Sequence, residues 1–330
     1  MAHLPVLCAE IVTYLKPADG EVIVDGTYGG GGYARAILAA AECQVLGIDR
    51  DLDAIARAEA AAIAEPRLVP LLGRFGDMQA VVEGAGFDRV DGVVLDLGVS
   101  SFQIDEAERG FSFQKDGPLD MRMGQAGPSA ADAVNQLPEK ALSDIIFRLG
   151  DEKQARRIAR AICQRRSERV FTGTLDLADL ISNTLGGRRG SRTHPATRAF
   201  QAIRMYVNDE LGELARALMA AEHILRPGGR LVIVTFHSLE DRMVKLALRE
   251  RGGLRGAGSR HMPGIKSAPE PSFHLITRKA IEPSEAEIAE NPRSRSSRLR
   301  AAQRTEAPAW AAPVSTGLNL PPLSDLEVAA

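Results

Sequence analysis

The sequence predicts an α/β protein built on a mostly parallel sheet, with an all-helical segment inserted before the last strands. From residue 21 to residue 97, short apolar runs that end in or near an acid alternate with helical patterns. This alternation is typical of a parallel sheet with helices on both faces. The alternation stops near residue 125, and helical patterns follow until one more apolar run at Arg230–Phe236.

The elements follow from local patterns. Helices are predicted at Tyr33–Ala41 and at Asp51–Ala64, with Asp51 near the start of the second. The four strands around them are Glu21–Asp25, Gln44–Asp49, Arg67–Leu72 and Val90–Leu97. The inserted helices are Ala141–Leu149, Glu152–Arg165, Leu175–Leu185 and Pro195–Leu214. Later elements are a turn at Arg226–Gly229, a helix at Met243–Arg251, a mobile loop at Gly252–Pro271 and an edge strand at Phe273–Arg278.

These patterns predict the domain organisation. Residues 1–125 and 215–305 form the two parts of the α/β domain, and residues 126–214 form the inserted helical domain. The segment 306–330 is rich in Pro and Ala and is predicted to be a disordered tail.

Composition excludes some classes and favours others. The 330 residues are 45% hydrophobic and 25% charged, which is ordinary for a globular protein. The three cysteines lie far apart without zinc-ligand spacing, so we expect no metal site. No apolar run reaches membrane-spanning length and the N-terminus is unlike a signal peptide, so we expect a cytoplasmic protein without membrane contact.

Charge is unevenly distributed along the chain. The net charge is −12 for residues 1–147, +8 for residues 148–204 and +2 for the remainder. A basic block within an acidic body suggests a polyanionic partner. A solvated helix face would explain the block equally well.

A glycine-rich loop follows the first strand. Gly29, Gly31 and Ala34 fit the pattern G-x-G-x-x-A, and Asp49 closes the next strand 20 residues after Gly29. Glycines let the backbone approach a ligand, and such an acid accepts hydrogen bonds from a ribose. The spacing fits both a nicotinamide dinucleotide and S-adenosylmethionine, and a plain tight turn is the structural alternative.

Acids at three strand ends favour one of these cofactors. Asp25, Asp49 and Asp96 close the first, second and fourth strands, whose carboxyl ends meet at one edge of a parallel sheet. Carboxylates suit the ammonium and sulfonium groups of S-adenosylmethionine and would repel a pyrophosphate. The sequence therefore predicts S-adenosylmethionine as cofactor.

The segment after the fourth strand is the predicted catalytic segment. Acceptors such as Asp96 and nearby carbonyl groups suit an exocyclic amine of cytosine or adenine, whose lone pair is delocalised into the ring. DNA amino-methyltransferases carry a Pro-Pro pair at this position, which is missing here. We predict roles for Ser100 and Ser101, although a hydrogen-bonded turn would also explain them.

Other polar residues have two interpretations each. Asp120 and Arg122 would contact the target base or cap a loop, and His237 would orient the base or cap a helix. Asn208 and Glu210, with Arg204, favour a buried ion-pair network. Arginines predicted to contact phosphates are Arg156, Arg157, Arg160, Arg165, Arg166, Arg169, Arg188, Arg189, Arg192, Arg293, Arg295, Arg298, Arg300 and Arg304.

Several longer motifs occur in one order and resemble a single family. They are Asp-Gly-Thr-Tyr-Gly-Gly-Gly-Gly (25–32), Gly-Ile-Asp-Arg-Asp (47–51), Leu-Asp-Leu-Gly-Val-Ser-Ser (95–101), Glu-Arg-Gly-Phe-Ser-Phe (108–113), Asp-Gly-Pro-Leu-Asp-Met-Arg-Met (116–123), Thr-His-Pro-Ala-Thr-Arg-Ala-Phe-Gln-Ala-Ile-Arg (193–204), Phe-His-Ser-Leu-Glu-Asp-Arg (236–242) and Asn-Pro-Arg-Ser-Arg-Ser (291–296). Together, from His3 to about Gln303, they resemble the bacterial 16S ribosomal RNA cytosine-N4 methyltransferases, the MraW family.

The resemblance implies a class I S-adenosylmethionine-dependent methyltransferase fold with an inserted helical domain. It implies N4-methylation of one cytidine in the decoding region of 16S RNA, with the small ribosomal subunit as partner; the oligomeric state stays open. The cofactor positions carried over from the family are Gly31, Gly32, Tyr33, Asp49, Phe75, Asp96 and Gln103. We add Asp25 and Arg50 to the predicted cofactor contacts. Many members carry His at the position of Tyr33, so a backbone contact is expected there.

Three alternatives stay open on the residues alone. They are a DNA amino-methyltransferase, a nicotinamide-dependent oxidoreductase using the glycine loop, and a non-catalytic RNA-binding assembly factor.

Overall fold

The computed structural model describes residues 5–124, 126–187, 193–254 and 269–326. Its strands are β1 Val22–Asp25, β2 Gln44–Asp49, β3 Leu68–Leu72, β4 Val90–Asp96, β5 Leu225–Thr235, β6 Phe273–Leu275 and β7 Arg298–Arg304. The helices before the insertion are α1 Cys8–Leu15, α2 Gly32–Ala40, α3 Leu52–Ala64 and α4 Met78–Gly84. Those that follow are α5 Ser101–Asp105, α6 Ala130–Gln136, α7 Glu139–Gly150, α8 Ala155–Arg166, α9 Thr174–Leu185, α10 Thr197–Val207, α11 Glu210–Ile224, α12 Ser238–Arg251 and α13 Glu285–Glu290.

The seven strands form one sheet in the order β3-β2-β1-β4-β5-β7-β6. The five strands from β3 to β5 are parallel, whereas β7 runs antiparallel to both β5 and β6. This mixed sheet with helices confirms the predicted class I methyltransferase fold. Strands β1, β2 and β4 all end in the predicted acids, so the three acids lie at one edge of the sheet.

The sheet is held by aliphatic side chains, in keeping with an aromatic content of only 5%. Ile23 of β1, Val45 of β2 and Val94 of β4 are completely buried. Ile11 of α1 and Ile37 of α2 belong to the same core cluster. Such continuously apolar strands are expected where helices cover both faces of a sheet.

Contacts divide the chain into two compact units. The first comprises residues 1–98 and 212–316 and contains the sheet; the second comprises residues 99–211 and 317–330. In the second unit, α7 packs against α8 and α10 and buries Ile145 and Ile158. The predicted domain boundaries stay a prediction, because compactness does not establish which segments fold independently.

Two predicted elements differ from the structure. Arg226–Gly229 was expected to separate a helix from a strand, but β5 already pairs with β4 at Leu225. The four residues instead form a register shift within β5, which accommodates a proline that cannot donate to the ladder. The predicted single helix Pro195–Leu214 is two helices, because the chain turns at Asp209, whose φ is 49°.

The late part of the chain contains a strand that the sequence patterns did not reveal. Strand β7 pairs with β5 from Arg298 to Gln303, inside a segment whose arginines were predicted to contact phosphates. Most of the predicted loop Gly252–Pro271 lies outside the described residues. Among the residues described, no helix combines the length and apolar character needed to span a membrane.

Candidate functional site

The glycine loop connects β1 to α2 in a conformation that needs glycine. Gly29 and Gly31 have φ values of 51° and 70°, and the Gly31 N–H donates to the Tyr28 carbonyl at 2.7 Å. A Cβ at Gly31 would lie 2.4 Å from the Tyr28 hydroxyl oxygen. A side chain therefore does not fit at Gly31, and the loop leads into the N-terminus of α2.

Asp25 ends β1 and is completely buried. Its Oδ1 accepts the Thr27 N–H at 3.2 Å, while its Oδ2 has no hydrogen-bond partner among the described residues. Burial raises the pKa of Asp25 to about 7, and the nearby Asp49 carboxylate adds to the shift. A buried carboxyl group in this state would gain from a cationic ligand.

Asp49 ends β2 and fixes the glycine loop. Its Oδ2 accepts the Gly29 N–H at 2.8 Å, and its Oδ1 accepts the Asp51 N–H at 2.9 Å. Burial raises the pKa of Asp49, and these backbone hydrogen bonds oppose the shift. Each oxygen keeps a second lone pair, so the carboxylate could also accept hydroxyl groups of a ribose.

Asp96 ends β4 beside the same loop. Its N–H donates to the Thr27 Oγ1 at 2.6 Å, and its own Oδ1 is buried without a partner in the described part of the chain. Burial raises the pKa of Asp96 to about 8, with a further contribution from Asp25. We call Asp25, Asp49 and Asp96 the acidic row.

Tyr33 contributes its side chain to the structure of this edge. The ring is 3% exposed, and the hydroxyl donates to the Val6 carbonyl at 2.5 Å. The hydroxyl also interacts with Asp96 and opposes the rise in that carboxyl's pKa. The sequence predicted only a backbone contact for Tyr33, because many members of the family carry His at this position. Nothing in the sequence indicated that the Tyr33 hydroxyl interacts with Asp96.

Two further predicted cofactor contacts lie in the same unit. Phe75 follows β3 in a 3-10 helix, and its Cβ is 3.4 Å from the place that a Cβ on Gly26 would take. Arg50 follows β2, and its Nη1 donates to Glu213 of α11 at 2.9 Å. That ion pair is almost fully buried and gives Arg50 a structural role, so its contact with a cofactor stays a prediction.

His237 is the N-cap of α12. Its Nδ1 accepts the Glu240 N–H at 3.4 Å, and its Nε2 lies 3.0 Å from the Glu240 Oε1. The Glu240 Oε2 accepts the Phe236 N–H at 3.0 Å in return. These contacts place the imidazole in a helix cap, so a role toward the substrate stays a prediction.

Ser100, Ser101 and Gln103 belong to the second unit, at the start of α5. The Ser100 Oγ accepts the Gln103 N–H at 3.2 Å, and the Gln103 Oε1 accepts the Ser100 N–H at 3.1 Å. This reciprocal arrangement is a capping box. It supports the structural interpretation of Ser100, and contacts of all three residues with substrate or cofactor stay predictions.

Asp120 lies in a loop of the second unit that Asn208 holds in place. Asp120 forms a two-pronged ion pair with Arg122, with a shortest distance of 2.6 Å. The Asn208 side chain accepts the Met123 N–H at 2.8 Å and donates to the Met121 carbonyl at 2.7 Å. Sequence reasoning assigned Asn208 to an ion-pair network and missed this role, because the partners are more than 80 residues away.

The network predicted around Arg204 is present within the second unit. Arg204 binds both carboxylate oxygens of Glu210, at 2.8 and 2.9 Å. Both side chains are mostly buried.

The arginines predicted to contact phosphates have several roles. Arg156, Arg157 and Arg160 are exposed on α8. Arg157 also donates to the Gln154 Oε1 at 2.6 Å, and the Arg160 Nε lies 3.7 Å from the Glu139 Oε1. Arg165 pairs with Asp176 at 2.8 Å, and Arg166 donates to the Val134 carbonyl at 2.7 Å. Arg188, Arg189 and Arg192 lie outside the described residues.

Two of the arginines predicted to contact phosphates are buried in β7. Arg300 is 7% exposed and pairs with Asp241 of α12 at 2.8 Å. Arg304 is 6% exposed and donates to backbone carbonyl groups. Arg293, Arg295 and Arg298 remain exposed.

Comparisons with known proteins identify the family to which the chain belongs. The family model described as the MraW methylase family matches residues 1–305. The chain belongs to the MraW methylase family. Proteins named ribosomal RNA small subunit methyltransferase H are similar along almost the whole chain. The one from Hyphomonas neptunium is 66% identical over 98% of this chain and 95% of its own length. Those from Maricaulis maris and Caulobacter vibrioides are 52% and 54% identical, over 99% and 94% of this chain and 98% of their own lengths in each case.

Family membership makes the protein a methyltransferase with S-adenosylmethionine as methyl donor. The residues present fit that cofactor. Buried polar atoms without a partner are rare in folded proteins, and the acidic row contains two, on Asp25 and Asp96. Both are carboxylate oxygens, which suit a ligand carrying positive charge. In the glycine loop beside them, a Cβ at Gly31 or Gly32 would collide with Tyr28 or Pro5, so the backbone at these two positions carries no side chain.

Proposed function

We propose that the protein methylates the N4 atom of a cytidine in the RNA of the small ribosomal subunit, in the decoding region. The observation that supports this proposal best is the acidic row, in which two buried carboxylate oxygens lack partners among the described residues. Membership of the MraW methylase family and relatives named for small-subunit ribosomal RNA support the choice of substrate. A bacterial ribosomal substrate implies a cytoplasmic location.

The acidic row and the glycine loop would hold S-adenosylmethionine, whose sulfonium supplies an activated methyl group. Asp25 would face positive charge on the cofactor, and Asp49 would accept hydrogen bonds from its ribose. Gly31 and Gly32 would present backbone groups, and Phe75 would lie near the adenine. Bound positive charge would lower the raised pKa values of Asp25 and Asp96 and leave both carboxylates ionised.

Asp96 would then act on the cytidine. An ionised Asp96 accepts an N–H of the exocyclic amine and directs its lone pair toward the methyl group. As the new C–N bond forms, the bond between the methyl group and sulfur would break. The amine proton becomes acidic only then and would pass to Asp96 or to water, so a strong base is unnecessary. Tyr33 would hold the Asp96 carboxylate in place during this step. The base has to leave its stack to reach a buried group of this kind.

Arginines supply the proposed RNA affinity. Arg156, Arg157 and Arg160 present guanidinium groups on the exposed side of α8, and such groups match phosphate geometry. Phosphate contacts give affinity without reading sequence. Because aromatic residues are only 5% of the chain, a folded RNA surface is a better substrate than a stacked single strand.

The carboxylates disfavour a nicotinamide-dependent oxidoreductase, since a pyrophosphate would lie against the acidic row. A DNA amino-methyltransferase would use the same chemistry on another polymer, and direct competition between the two polymers separates them. A non-catalytic assembly factor would retain its biological activity without Asp96.

The test is methyl transfer from labelled S-adenosylmethionine to small subunits that lack the modification, followed by nucleoside analysis. Label on cytidine N4 is the expected result. The Asp96→Asn variant should lose at least about a hundredfold in rate, since it removes the group aimed at the amine. The matched control is Asp88→Asn, which changes an exposed acid before β4. Label on a carbon atom, label on DNA in preference to RNA, or full activity of Asp96→Asn would contradict the proposal.

A further inference from the structure

A cavity of about 440 Å³ lies at the sheet edge where β4 and β5 begin and β7 ends. Arg89, His223 and Arg304 line it. Strands β4 and β5 are parallel and β7 is antiparallel to β5, so these residues mark the amino-terminal edge of the parallel strands. The acidic row closes its strands at the opposite edge. The cavity is therefore separate from the cofactor site proposed above.

Arg304 is held rigidly in the cavity wall without being neutralised. Its Nε donates to the Glu222 carbonyl at 2.8 Å, and its Nη1 donates to the carbonyls of Ser272 and Thr305 at 3.0 Å each. These acceptors are neutral peptide oxygens, so they fix the orientation of the guanidinium and leave its charge in place. A guanidinium oriented in advance loses little freedom when it binds an anion.

A second arginine lines the same cavity. Arg89 is exposed, and its Nη1 donates to the carbonyl of His223. Burial lowers the pKa of Arg304; the nearby Glu222 carboxylate opposes this shift, and the charge of Arg89 adds to it. Two cations held near each other favour an anion between them, because the anion removes their mutual repulsion.

The nearby carboxylates do not fill that role. Glu222 is committed elsewhere, since its Oε2 binds Arg251 at 2.9 Å and its Oε1 accepts the Trp310 N–H at 2.9 Å. Glu306 contributes to the lining but is exposed to solvent. The local charge around the cavity therefore favours an anionic ligand.

The rest of the lining is apolar. Leu225, Pro227 and Pro308 contribute carbon surface beside the cationic groups. The volume exceeds what a single phosphate needs and falls in the usual range for small-molecule sites. A phosphate attached to a sugar and a base would use both the charged and the apolar parts.

We propose that this cavity binds a nucleotide through its phosphate, with Arg89 and Arg304 as the phosphate ligands. The phosphate belongs either to a free mononucleotide or to a strand of RNA, and the chemistry of recognition is shared. The proposal does not depend on the methylation reaction. The competing explanation is that both arginines serve only to bind carbonyl groups of the fold.

The experiment uses Trp310, the only tryptophan of the chain, as its reporter. Its backbone N–H binds Glu222 and it follows the cavity lining directly in sequence. The full chain is titrated at constant ionic strength with inorganic phosphate, cytidine monophosphate and a short single-stranded RNA. A saturable fluorescence change is expected, with the mononucleotide binding more tightly than phosphate. RNA binding tighter than the mononucleotide identifies a strand as the ligand, and equal or weaker binding identifies a free nucleotide.

The variant Arg89→Gln should weaken mononucleotide binding about tenfold, as expected for the loss of a charge-assisted hydrogen bond. Arg249→Gln removes an exposed arginine of α12 that does not line the cavity, and its binding should match that of the wild type. Binding of S-adenosylmethionine should be unchanged in both variants, which shows that they are folded. Absence of saturable binding, or equal losses in the two variants, would overturn the proposal.

Discussion

Replacing Asp25 by Asn should stabilise the protein at neutral and alkaline pH while weakening its cofactor binding. Asp25 is completely buried, and burial raises its pKa from 3.8 to about 7. A carboxyl group whose pKa is higher in the folded state than in the unfolded state favours folding while it is protonated. Its full contribution to stability is present only below the unfolded pKa. That contribution is lost as the pH rises through the folded value. Asn has nearly the same shape, accepts the Thr27 N–H and carries no charge.

The magnitude follows from the difference between the folded and unfolded pKa values. The expected gain in the free energy of unfolding of Asp25→Asn is at most about 4 kcal/mol at pH 8 and almost nothing at pH 4. Urea unfolding of both proteins at pH 4 and pH 8 measures it. Affinity for S-adenosylmethionine, measured by calorimetry, should fall at least about tenfold, because the variant cannot carry negative charge.

Glu59→Gln is the control for the stability measurement, since Glu59 is exposed on α3 and its replacement should change the free energy of unfolding little. The prediction is contradicted if the free energy of unfolding of Asp25→Asn falls by the same amount at both pH values. It is also refuted if the variant binds the cofactor as tightly as the wild type does.

Three other predictions concern loops within each of the two units. Asp49→Ala should weaken S-adenosylmethionine binding by about ten- to a hundredfold in calorimetry, because it removes the proposed ribose acceptor and two loop hydrogen bonds; an unchanged affinity would exclude the ribose role. Gly31→Ala should lower the free energy of unfolding by roughly 1–2 kcal/mol more than Gly20→Ala. Both positions have positive φ, but only at Gly31 would a Cβ collide with another side chain. Equal losses of stability in urea unfolding would show that this collision does not occur. Asn208→Ala should cost about 2–3 kcal/mol and speed hydrogen exchange of the Met123 amide, because two buried backbone groups lose their partner; slow exchange at Met123 would show that the loop is held in another way.

The sequence predicted those features that depend on local pattern. The apolar runs of β1, β2 and β4, each closed by an acid, appear in the structure almost as predicted. Asp51 caps α3 through a hydrogen bond from the Asp53 N–H, as its position before the apolar pattern indicated. These features could be predicted because strand period, helix capping and loop glycines act over a few residues.

The features that were missed depend on partners distant in sequence. Arg300 looked like a phosphate contact because its charge was visible and its partner Asp241 was not. The alternation of Arg298 and Arg300 with Leu299 and Ala301 was the available signal for β7. Basic residues on one face of a strand have the same pattern whether that face meets solvent or a helix, so burial could not be predicted.

The link from Tyr33 to Asp96 was missed for a related reason. A tyrosine after paired glycines is compatible with a surface position or a buried one. Only the fold brings its hydroxyl to Val6 and Asp96. A test of this link is the pH profile of methyl transfer by Tyr33→Phe. Loss of the hydroxyl should move the Asp96 pKa upward, so the activity should require a higher pH than in the wild type.

The most direct test of the account is the number of protons released when S-adenosylmethionine binds. With pKa values of about 7 for Asp25 and about 8 for Asp96, both carboxyl groups are substantially protonated at pH 7 in the free protein. A bound cation should ionise them, so calorimetry in buffers of different ionisation enthalpy should detect the release of roughly one to one and a half protons. Asp25→Asn and Asp96→Asn should each release fewer protons. A binding enthalpy that does not depend on the buffer would contradict the claim that the acidic row recognises the positive charge of the cofactor.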